Sequence, residues 1–241
     1  MNNLSIILLK CLRKIYIKTF GSFHSQSLQY IVNVDEANKI IYNLLKDGTP
    51  CMIARFGSTE LLALVNYLGV SSNKHSVWDY VKGKQPEWWW SKNVMSQMQR
   101  WSGFFPPTPE NMLKFGDLMM NDIKYLDLLG CWNVNEIWFA DKLKLVKKVH
   151  LRLLEPFWAQ MPWTKYLKEK RVVVVHPFKE DILKQYNNHR LQLFSNPDIL
   201  PKFSSLRVIK AVQSLGGENN GFKDWFEALQ WMKDEIDKED Y

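Results

Sequence analysis

The spacing of hydrophobic residues predicts an amphipathic helix at the start of the chain, over residues 4–20. At 100° per residue, the apolar side chains of this segment fall on one arc of a helix. That arc comprises Leu4, Leu8, Leu9, Leu12, Ile15, Tyr16 and Phe20. The basic side chains gather on the opposite side and are Lys10, Arg13, Lys14 and Lys18. The longest uncharged run is far shorter than the ~20 residues of a membrane-spanning helix, so the pattern favours a helix that lies on a surface.

From residue 34 onward, helical periodicity alternates with short apolar runs. The predicted helices of the first half cover residues 34–46, 58–69 and 108–123. The last of these begins at Thr108-Pro109, where a capping residue precedes proline. The predicted strands cover 51–54 and, with a weaker pattern, 126–132 and 149–154. Residues 70–108 are predicted as loop and helix with many aromatic side chains.

The second half of the chain repeats the order strand, loop, helix. Arg171–Val175 is a β-branched run without polar alternation, the pattern of a strand buried on both faces of a parallel sheet. The elements that follow it are a helix over 179–186, a strand over 206–212 and a helix over 223–236. The alternation predicts an α/β fold with an open, mostly parallel, Rossmann-like sheet and flanking helices. We divide the chain into an N-terminal basic helix with its linker, 1–30, and an α/β domain, 31–241.

Composition and charge exclude several classes of protein. With 46% hydrophobic and 24% charged residues, the chain is not disordered, collagen-like or coiled-coil. Three cysteines without a Cys-x-x-Cys pair argue against a disulfide scaffold or a cysteine zinc site. The net charge of +7 favours an anionic partner: a nucleic acid, an acidic membrane surface or a phosphate-bearing substrate. No nucleic-acid-binding motif accompanies the basic residues, so we expect no specific nucleic-acid partner.

The N-terminal helix has two interpretations. A basic amphipathic helix is typical of a segment that lies on an anionic membrane surface. Alternatively, its leucine face packs on the domain while its lysines stay in solvent. The pattern alone leaves both open.

The most distinctive strand end is Arg55-Phe56-Gly57-Ser58-Thr59-Glu60. A strand ends there, glycine permits a tight turn, and the N–H groups at the start of the next helix can hold a phosphate. Arg55 can add a bidentate contact to that phosphate. Glu60 can ligate a metal, act as a base, or favour the helix dipole. The alternative is purely structural, with Ser58 as the N-cap and Glu60 as a capping acid.

Two further strand ends carry candidate binding residues. His176 follows the four-valine strand and is expected at the rim of the sheet, where it can bind phosphate or transfer a proton. Gln213 and Ser214 follow the last strand and can bind a sugar hydroxyl or a phosphate oxygen. The alternatives are a hydrogen-bonded structural histidine and a pair of turn-capping residues.

The eleven tryptophans are several times ordinary usage. Flat aromatic faces stack on sugar rings and nucleobases, so tryptophans between 78 and 101 are candidate sugar platforms. Trp88-Trp89-Trp90 cannot all point into one core from a helix, and we expect at least one to face a cleft, a partner or a membrane. The alternative is a membrane-interface belt combined with ordinary packing.

The Arg55–Glu60 turn resembles the signature of bacterial glycosyltransferases of the GT-D fold, which occur in polysaccharide gene clusters. That signature is a strand followed by Arg-Phe-Gly-Asp-Gly-Glu. Arg55, Phe56, Gly57 and Glu60 match it, whereas Ser58 replaces the aspartate and Thr59 replaces the second glycine. Further short matches extend the resemblance over about residues 35–240: Leu154-Glu155-Pro156, His176-Pro177-Phe178, Gln185-Tyr186 and Ala211-Val212-Gln213-Ser214.

The resemblance implies an enzyme that moves a sugar from a nucleotide-sugar, of the UDP type, to a surface-polysaccharide, glycan or lipid-linked acceptor. It implies a cytoplasmic protein, peripheral on the inner face of the membrane. Arg55 and Glu60 would be catalytic. The donor would be bound by Gly57, Ser58, Thr59, His176, Gln213 and Ser214.

Two departures from the family pattern qualify this expectation. Replacement of the aspartate by Ser58 removes one oxygen ligand, which weakens the expectation of a Mg²⁺ or Mn²⁺ ion and leaves Glu60 to hold it. Family members continue past the final helix into a strand and a glycine-rich turn, so the resemblance implies a C-terminally truncated domain. The alternative to an enzyme is therefore an inactive or truncated relative that acts as a membrane-associated subunit of polysaccharide biosynthesis.

Overall fold

Residues 2–21 and 27–239, which the computed structural model describes, form eight α-helices and five β-strands. Residue 1, residues 22–26 of the linker and residues 240–241 lie outside this range. The helices are α1 (Asn3–Phe20), α2 (Val34–Lys46), α3 (Ser58–Val70), α4 (Val77–Val81), α5 (Lys92–Ser102), α6 (Pro109–Asp122), α7 (Lys179–Leu193) and α8 (Trp225–Asp237). The strands are β1 (Met52–Ala54), β2 (Leu126–Cys131), β3 (Lys147–His150), β4 (Arg171–His176) and β5 (Ser205–Lys210).

The first sheet has helices on both of its faces. Its strands are parallel in the order β1-β2-β3. Along β2, Leu128 packs towards Ala37 and Ile41 of α2, whereas Leu129 packs towards Leu61 of α3. Neighbouring residues of a strand point to opposite faces, so both faces are buried beneath helices. The expected α/β class, with parallel strands flanked by helices, is confirmed.

Strands β4 and β5 form a second parallel pair, which is not joined by strand pairing to the first sheet among the described residues. The single open sheet that the pattern favoured is therefore replaced by two small sheets, and a Rossmann-like arrangement stays a prediction. The expectation that the valine run is buried on both faces is wrong, since Val172, Val173 and Val174 are half-buried and Val175 is 38% exposed. A two-stranded sheet offers too little area for helices to cover it completely.

Several element boundaries follow the sequence pattern closely. Helix α2 has the predicted bounds, and the hydroxyl of Thr108 caps α6 by accepting a hydrogen bond from the N–H of Asn111 at 3.2 Å. The strand expected over 149–154 is wrong from residue 151 onward, because Leu151–Leu154 is a 3₁₀ turn, and β3 begins earlier, at Lys147. The first two residues of β3 are lysines. The ammonium of Lys148 donates hydrogen bonds to two backbone carbonyls, so its donors find partners within the fold.

Helix α1 packs on α4 with a narrow face and leaves most of its apolar residues in solvent. Leu9 is buried and Tyr16 half-buried in a cluster with Tyr80. The remaining apolar side chains of the predicted arc are exposed: Leu4 at 76%, Leu8 at 60%, Leu12 at 43%, Ile15 at 64% and Phe20 at 73%. The interpretation in which the leucine face packs on the domain is therefore wrong for these residues, whereas Leu9 and Tyr16 do pack on it. None of the described helices is long and apolar enough to cross a membrane.

Candidate functional site

The β1–α3 turn leaves the start of a helix open at the end of a strand. Helix α3 begins at Ser58, and its N-cap is Gly57, which provides no side-chain cap. The N–H of Leu61 donates to the Gly57 carbonyl at 2.9 Å, which closes the first helical turn. Uncapped N–H groups at a helix start carry partial positive charge and suit an anion. The interpretation with Ser58 as the N-cap is wrong, since Ser58 is the first helical residue.

The carboxylate of Glu60 lies directly against Gly57. A Cβ placed on Gly57 would be 1.9 Å from Oε2 of Glu60, so a larger residue would need the carboxylate to move. The φ angle of Gly57 is −69°, which other residues also adopt. Glycine here leaves space for the Glu60 carboxylate, which lies at the positive end of the helix as expected of a capping acid.

A chain of hydrogen bonds holds the turn from the end of the neighbouring strand. The indole N–H of Trp132 donates to the carbonyl oxygen of Phe56 at 3.0 Å, and the Phe56 ring stacks on Phe139 with 5.9 Å between centroids. The carboxylate of Glu136 accepts the N–H groups of Trp132 and Asn133 at 3.1 and 3.2 Å. Sequence reasoning missed Trp132 and Glu136, although Trp132 is the last residue of the strand predicted over 126–132 and Glu136 follows it.

The carboxylate of Glu136 is almost completely buried, with 1% of the residue exposed. Burial raises its pKa above the usual glutamate value, and the two backbone N–H groups partly oppose this. Burial together with the nearby Glu136 raises the pKa of the Cys131 thiol to about 12. These two groups support the turn from inside the core and do not line the cavity above it.

The turn lines an open cavity of about 540 Å³. Its described walls are Arg55, Phe56, Gly57, Ser58, Thr59, Glu60, Trp101, Ser102 and Met119. Arg55 is exposed, and its guanidinium makes a long contact of 3.4 Å with the Phe56 carbonyl. Thr59 is only 6% exposed, whereas Trp101 at the end of α5 is 66% exposed. The cavity therefore combines a cation, a helix start, a carboxylate and an open aromatic face.

Ser214 and Gln213 lie beside this cavity. The hydroxyl of Ser214 donates to the carbonyl of Gly103 at 2.6 Å, and Ser214 is buried. Gly103 ends α5 with a left-handed φ of 65°, and a Cβ there would be 2.9 Å from the Ser214 Oγ. Gln213 and Ser214 line a smaller cavity of about 140 Å³ that also includes Ser102. The two cavities thus adjoin at Ser102.

His176 lies at the end of β4 and is not among the described residues that line either cavity. Its Nδ1 accepts the N–H of Phe178 at 3.1 Å, and the two rings are 5.2 Å apart. These local contacts favour the alternative interpretation, in which His176 is a hydrogen-bonded structural histidine.

The Trp88-Trp89-Trp90 segment is not helical, and the three side chains divide between two clusters. Trp88 and Trp89 pack at 5.1 Å from each other and each contacts Tyr80, while Trp90 packs against the main core. Each of the three is half-buried in one of these clusters, and none is among the described residues that line the cavity above the β1–α3 turn, so the expectation that one of them faces a partner or membrane stays a prediction. Trp101 is instead the tryptophan of this region that lines the cavity.

The cavity contains a single carboxylate among its described walls, that of Glu60. No group of three or more His, Cys, Asp or Glu side chains within residues 2–21 and 27–239 is arranged to hold a metal ion.

Comparison with models of protein families, with curated proteins and with solved structures found no match. The resemblance to GT-D glycosyltransferases thus stays a prediction based on short motifs.

Proposed function

We propose that this protein is a glycosyltransferase that takes a nucleotide-sugar donor into the cavity above the β1–α3 turn, in a Rossmann-like, GT-D-like fold. The observation that carries the proposal is the presence of Arg55, the open start of α3, Glu60 and the exposed Trp101 on one cavity of about 540 Å³. A donor of this type offers a diphosphate for the first two groups and a ring for the indole face.

The diphosphate would bind the N–H groups at Ser58 and Thr59, with Gly57 allowing close approach. Arg55 would neutralise the charge that develops on the departing diphosphate while the bond from sugar to acceptor oxygen forms. Since Glu60 already lies at this helix start, its carboxylate would have to move away from Gly57 when an anion arrives. In its displaced position it would orient the acceptor hydroxyl or accept its proton.

A divalent ion would find one protein carboxylate here, Glu60. Mg²⁺ bound to substrate phosphates commonly takes one or two carboxylates, with phosphate oxygens and water as its other ligands. A Mg²⁺ or Mn²⁺ requirement is therefore proposed only together with the bound donor.

Gln213 and Ser214 would complete the donor pocket from the adjoining small cavity, Ser214 by holding Gly103 and the end of α5. His176 would contribute only if the donor reached the end of β4. The acceptor would be a surface-polysaccharide or other glycan intermediate, free or lipid-linked, and the protein would work peripherally at the cytoplasmic face of the membrane.

The test is calorimetric titration with UDP-sugars and other nucleotide-sugars, with and without Mn²⁺, together with a sugar-transfer assay. Arg55→Ala and Glu60→Ala should each abolish transfer, and Arg55→Ala should weaken donor binding by more than about tenfold. Arg152→Ala and Glu110→Ala are matched controls, because both residues are exposed and Glu110 also lies in the first turn of a helix. Normal binding and turnover by both cavity variants would refute the assignment.

A second candidate is a non-catalytic, membrane-associated subunit. It is favoured by Ser58 at the position of the family's aspartate, which leaves one carboxylate in the cavity. This alternative predicts either donor binding without sugar transfer or no donor binding at millimolar concentration. An enzyme must both bind the donor and transfer its sugar.

A further inference from the structure

The largest cavity of those that we describe lies between helix α1 and the domain. Its volume is about 660 Å³, and it shares no described lining residue with the cavity above the β1–α3 turn. Four cations of α1 line it: Lys10, Arg13, Lys14 and Lys18. Apolar side chains of α3 and α5, including Leu62, Val65 and Val94, lie opposite. The basic stripe of α1 thus borders an open cavity between the helix and the domain.

The charges in this cavity are unbalanced. Glu87 is the one carboxylate among its described walls, and it pairs with Lys10 at 3.0 Å. Arg13 donates to the Gln85 carbonyl at 2.8 Å and lies over the Tyr80 ring at 4.7 Å, and neither of these partners carries a negative charge to offset its own. Lys14 and Lys18 make no ion pair or hydrogen bond with a described residue. Three positive charges are therefore left to attract an anion.

The apolar stripe of α1 is uncovered on the outer face of the helix, and of the four cations Lys18 and Lys14 lie nearest to it at 100° per residue. Leu4, Leu8 and Ile15 are exposed at 76%, 60% and 64%, at the spacing of one helix face. Removing a side chain of this size from water is favourable by about 1.5–3 kcal/mol. A bilayer provides both an apolar layer for such a stripe and anionic headgroups beside it.

We propose that the cavity lined by Lys10, Arg13, Lys14 and Lys18 binds the phosphate headgroup of an anionic membrane lipid while the Leu4–Leu8–Ile15 stripe enters the bilayer. Lys14 and Lys18 make the new contacts, and Arg13 is held in place by Gln85 and Tyr80. The phosphate monoester of phosphatidic acid can carry two negative charges, whereas a phosphate diester carries one. The monoester therefore matches the three excess positive charges better. The proposal does not depend on the glycosyltransferase assignment.

The test is co-sedimentation of the full chain with phosphatidylcholine vesicles that contain phosphatidic acid, phosphatidylserine or neither. We expect the order of binding to be phosphatidic acid, then phosphatidylserine, then phosphatidylcholine alone. Equal binding to the two anionic lipids at matched surface charge would overturn recognition by the cavity. Equal binding to neutral vesicles would overturn any role of the cations.

Variants separate the cavity from net charge. Lys14→Gln/Lys18→Gln should weaken binding to phosphatidic acid vesicles by about tenfold to thirtyfold, from about 1 kcal/mol per lysine. Lys142→Gln/Lys144→Gln removes the same charge from exposed positions outside the cavity and should leave binding within about twofold. If both pairs weaken binding equally, the cavity is not the site. All four lysines are exposed, so these variants should fold.

The apolar stripe is tested in the same way. Leu8→Ser/Ile15→Ser should weaken vesicle binding by more than about tenfold, whereas Leu145→Ser/Leu191→Ser, at residues 95% and 69% exposed, should not. Inorganic phosphate and a single-stranded oligonucleotide are the competing anions. If either binds the unmodified chain with the same dependence on Lys14 and Lys18 while vesicles fail to bind, a lipid headgroup is the wrong ligand.

Discussion

The Glu60 carboxylate lies so close to Gly57 that a Cβ atom added to Gly57 would be only 1.9 Å from Oε2 of Glu60. This contact couples the two residues at the start of α3. Gly57 leaves space for the carboxylate, and the carboxylate faces the positive end of the helix in place of a side-chain cap. The Glu60 carboxylate lies at the helix start where the proposed anion would bind, which makes this pair the first target for mutation.

Gly57→Ala should push the Glu60 carboxylate away from the helix start. The φ of −69° suits alanine, so the expected loss in the free energy of unfolding is about 0.5–1 kcal/mol, from the weaker N-cap and the lost dipole interaction. In a protein that already carries Glu60→Ala, Gly57→Ala should lower the free energy of unfolding by less, because residue 60 then has no carboxylate for the new Cβ to displace. Chemical denaturation of the four proteins in a double-mutant cycle measures this coupling, and strictly additive values would contradict it.

Trp132→Phe should loosen the turn above which the donor is proposed to bind. It removes the indole N–H that donates to the Phe56 carbonyl at 3.0 Å, at an expected cost of about 1 kcal/mol in unfolding free energy. Donor affinity should fall with it. Trp158→Phe is the matched control, since its indole N–H also donates, to Glu155 at 2.8 Å, and it is similarly exposed. An equal loss of donor affinity in both variants would show that the effect is not local.

Glu136→Gln should make the protein more stable at neutral pH. Burial raises the pKa of Glu136, so the folded state binds this proton more tightly than the unfolded state does. Stability from this group is therefore present at acid pH and lost as pH rises through the raised pKa. Glutamine keeps an oxygen for the N–H groups of Trp132 and Asn133 without the buried charge.

The excess stability of Glu136→Gln over the unmodified protein should thus shrink as pH falls from 7 to about 4, near the usual glutamate pKa. Denaturation curves across this range measure the gap. Glu110→Gln, at an exposed residue, should show no comparable trend. A gap that grows towards acid pH would mean that Glu136 is stabilised in its charged form.

Trp101→Ala should weaken nucleotide-sugar binding by about threefold to tenfold without lowering stability, if the indole stacks on a ring of the donor. At 66% exposure, the side chain contributes little to the core. Trp78→Ala removes an indole with 68% exposure outside this cavity and should leave donor affinity unchanged. An unaffected affinity in Trp101→Ala would remove the aromatic platform from the proposed site.

The cysteines should differ sharply in their reactivity towards a thiol reagent at pH 8. Cys11 is exposed on α1 and should react rapidly. Cys131 is buried, and burial beside Glu136 raises its pKa to about 12, so it should react only on unfolding. Labelling followed by mass spectrometry assigns the modified residues. Rapid modification of Cys131 in the folded protein would contradict its burial.

Local patterns were sufficient to predict most elements and the principal candidate turn. The bounds of α2 and the cap of α6 at Thr108 followed from periodicity and capping residues, both of which act within a few positions of the chain. The β1–α3 turn followed likewise, because a short apolar run, a glycine and a helix start are adjacent in sequence. The length of α7 was underestimated, since its polar sequence gives a weak periodic signal.

The sequence by itself thus determined an α/β chain with a basic amphipathic helix and an anion-suited turn. Tertiary structure decided what depends on contacts between distant residues. It divided the strands into two sheets and turned the apolar stripe of α1 outwards. It placed Trp101 on one cavity with Arg55, and Ser214 on the adjoining cavity. It also linked Glu136 through Trp132 to Phe56, which lies 80 positions before Glu136 in the chain. Hydrophobic spacing specifies which face of an element is apolar, whereas the partner of that face is chosen by packing across the whole fold.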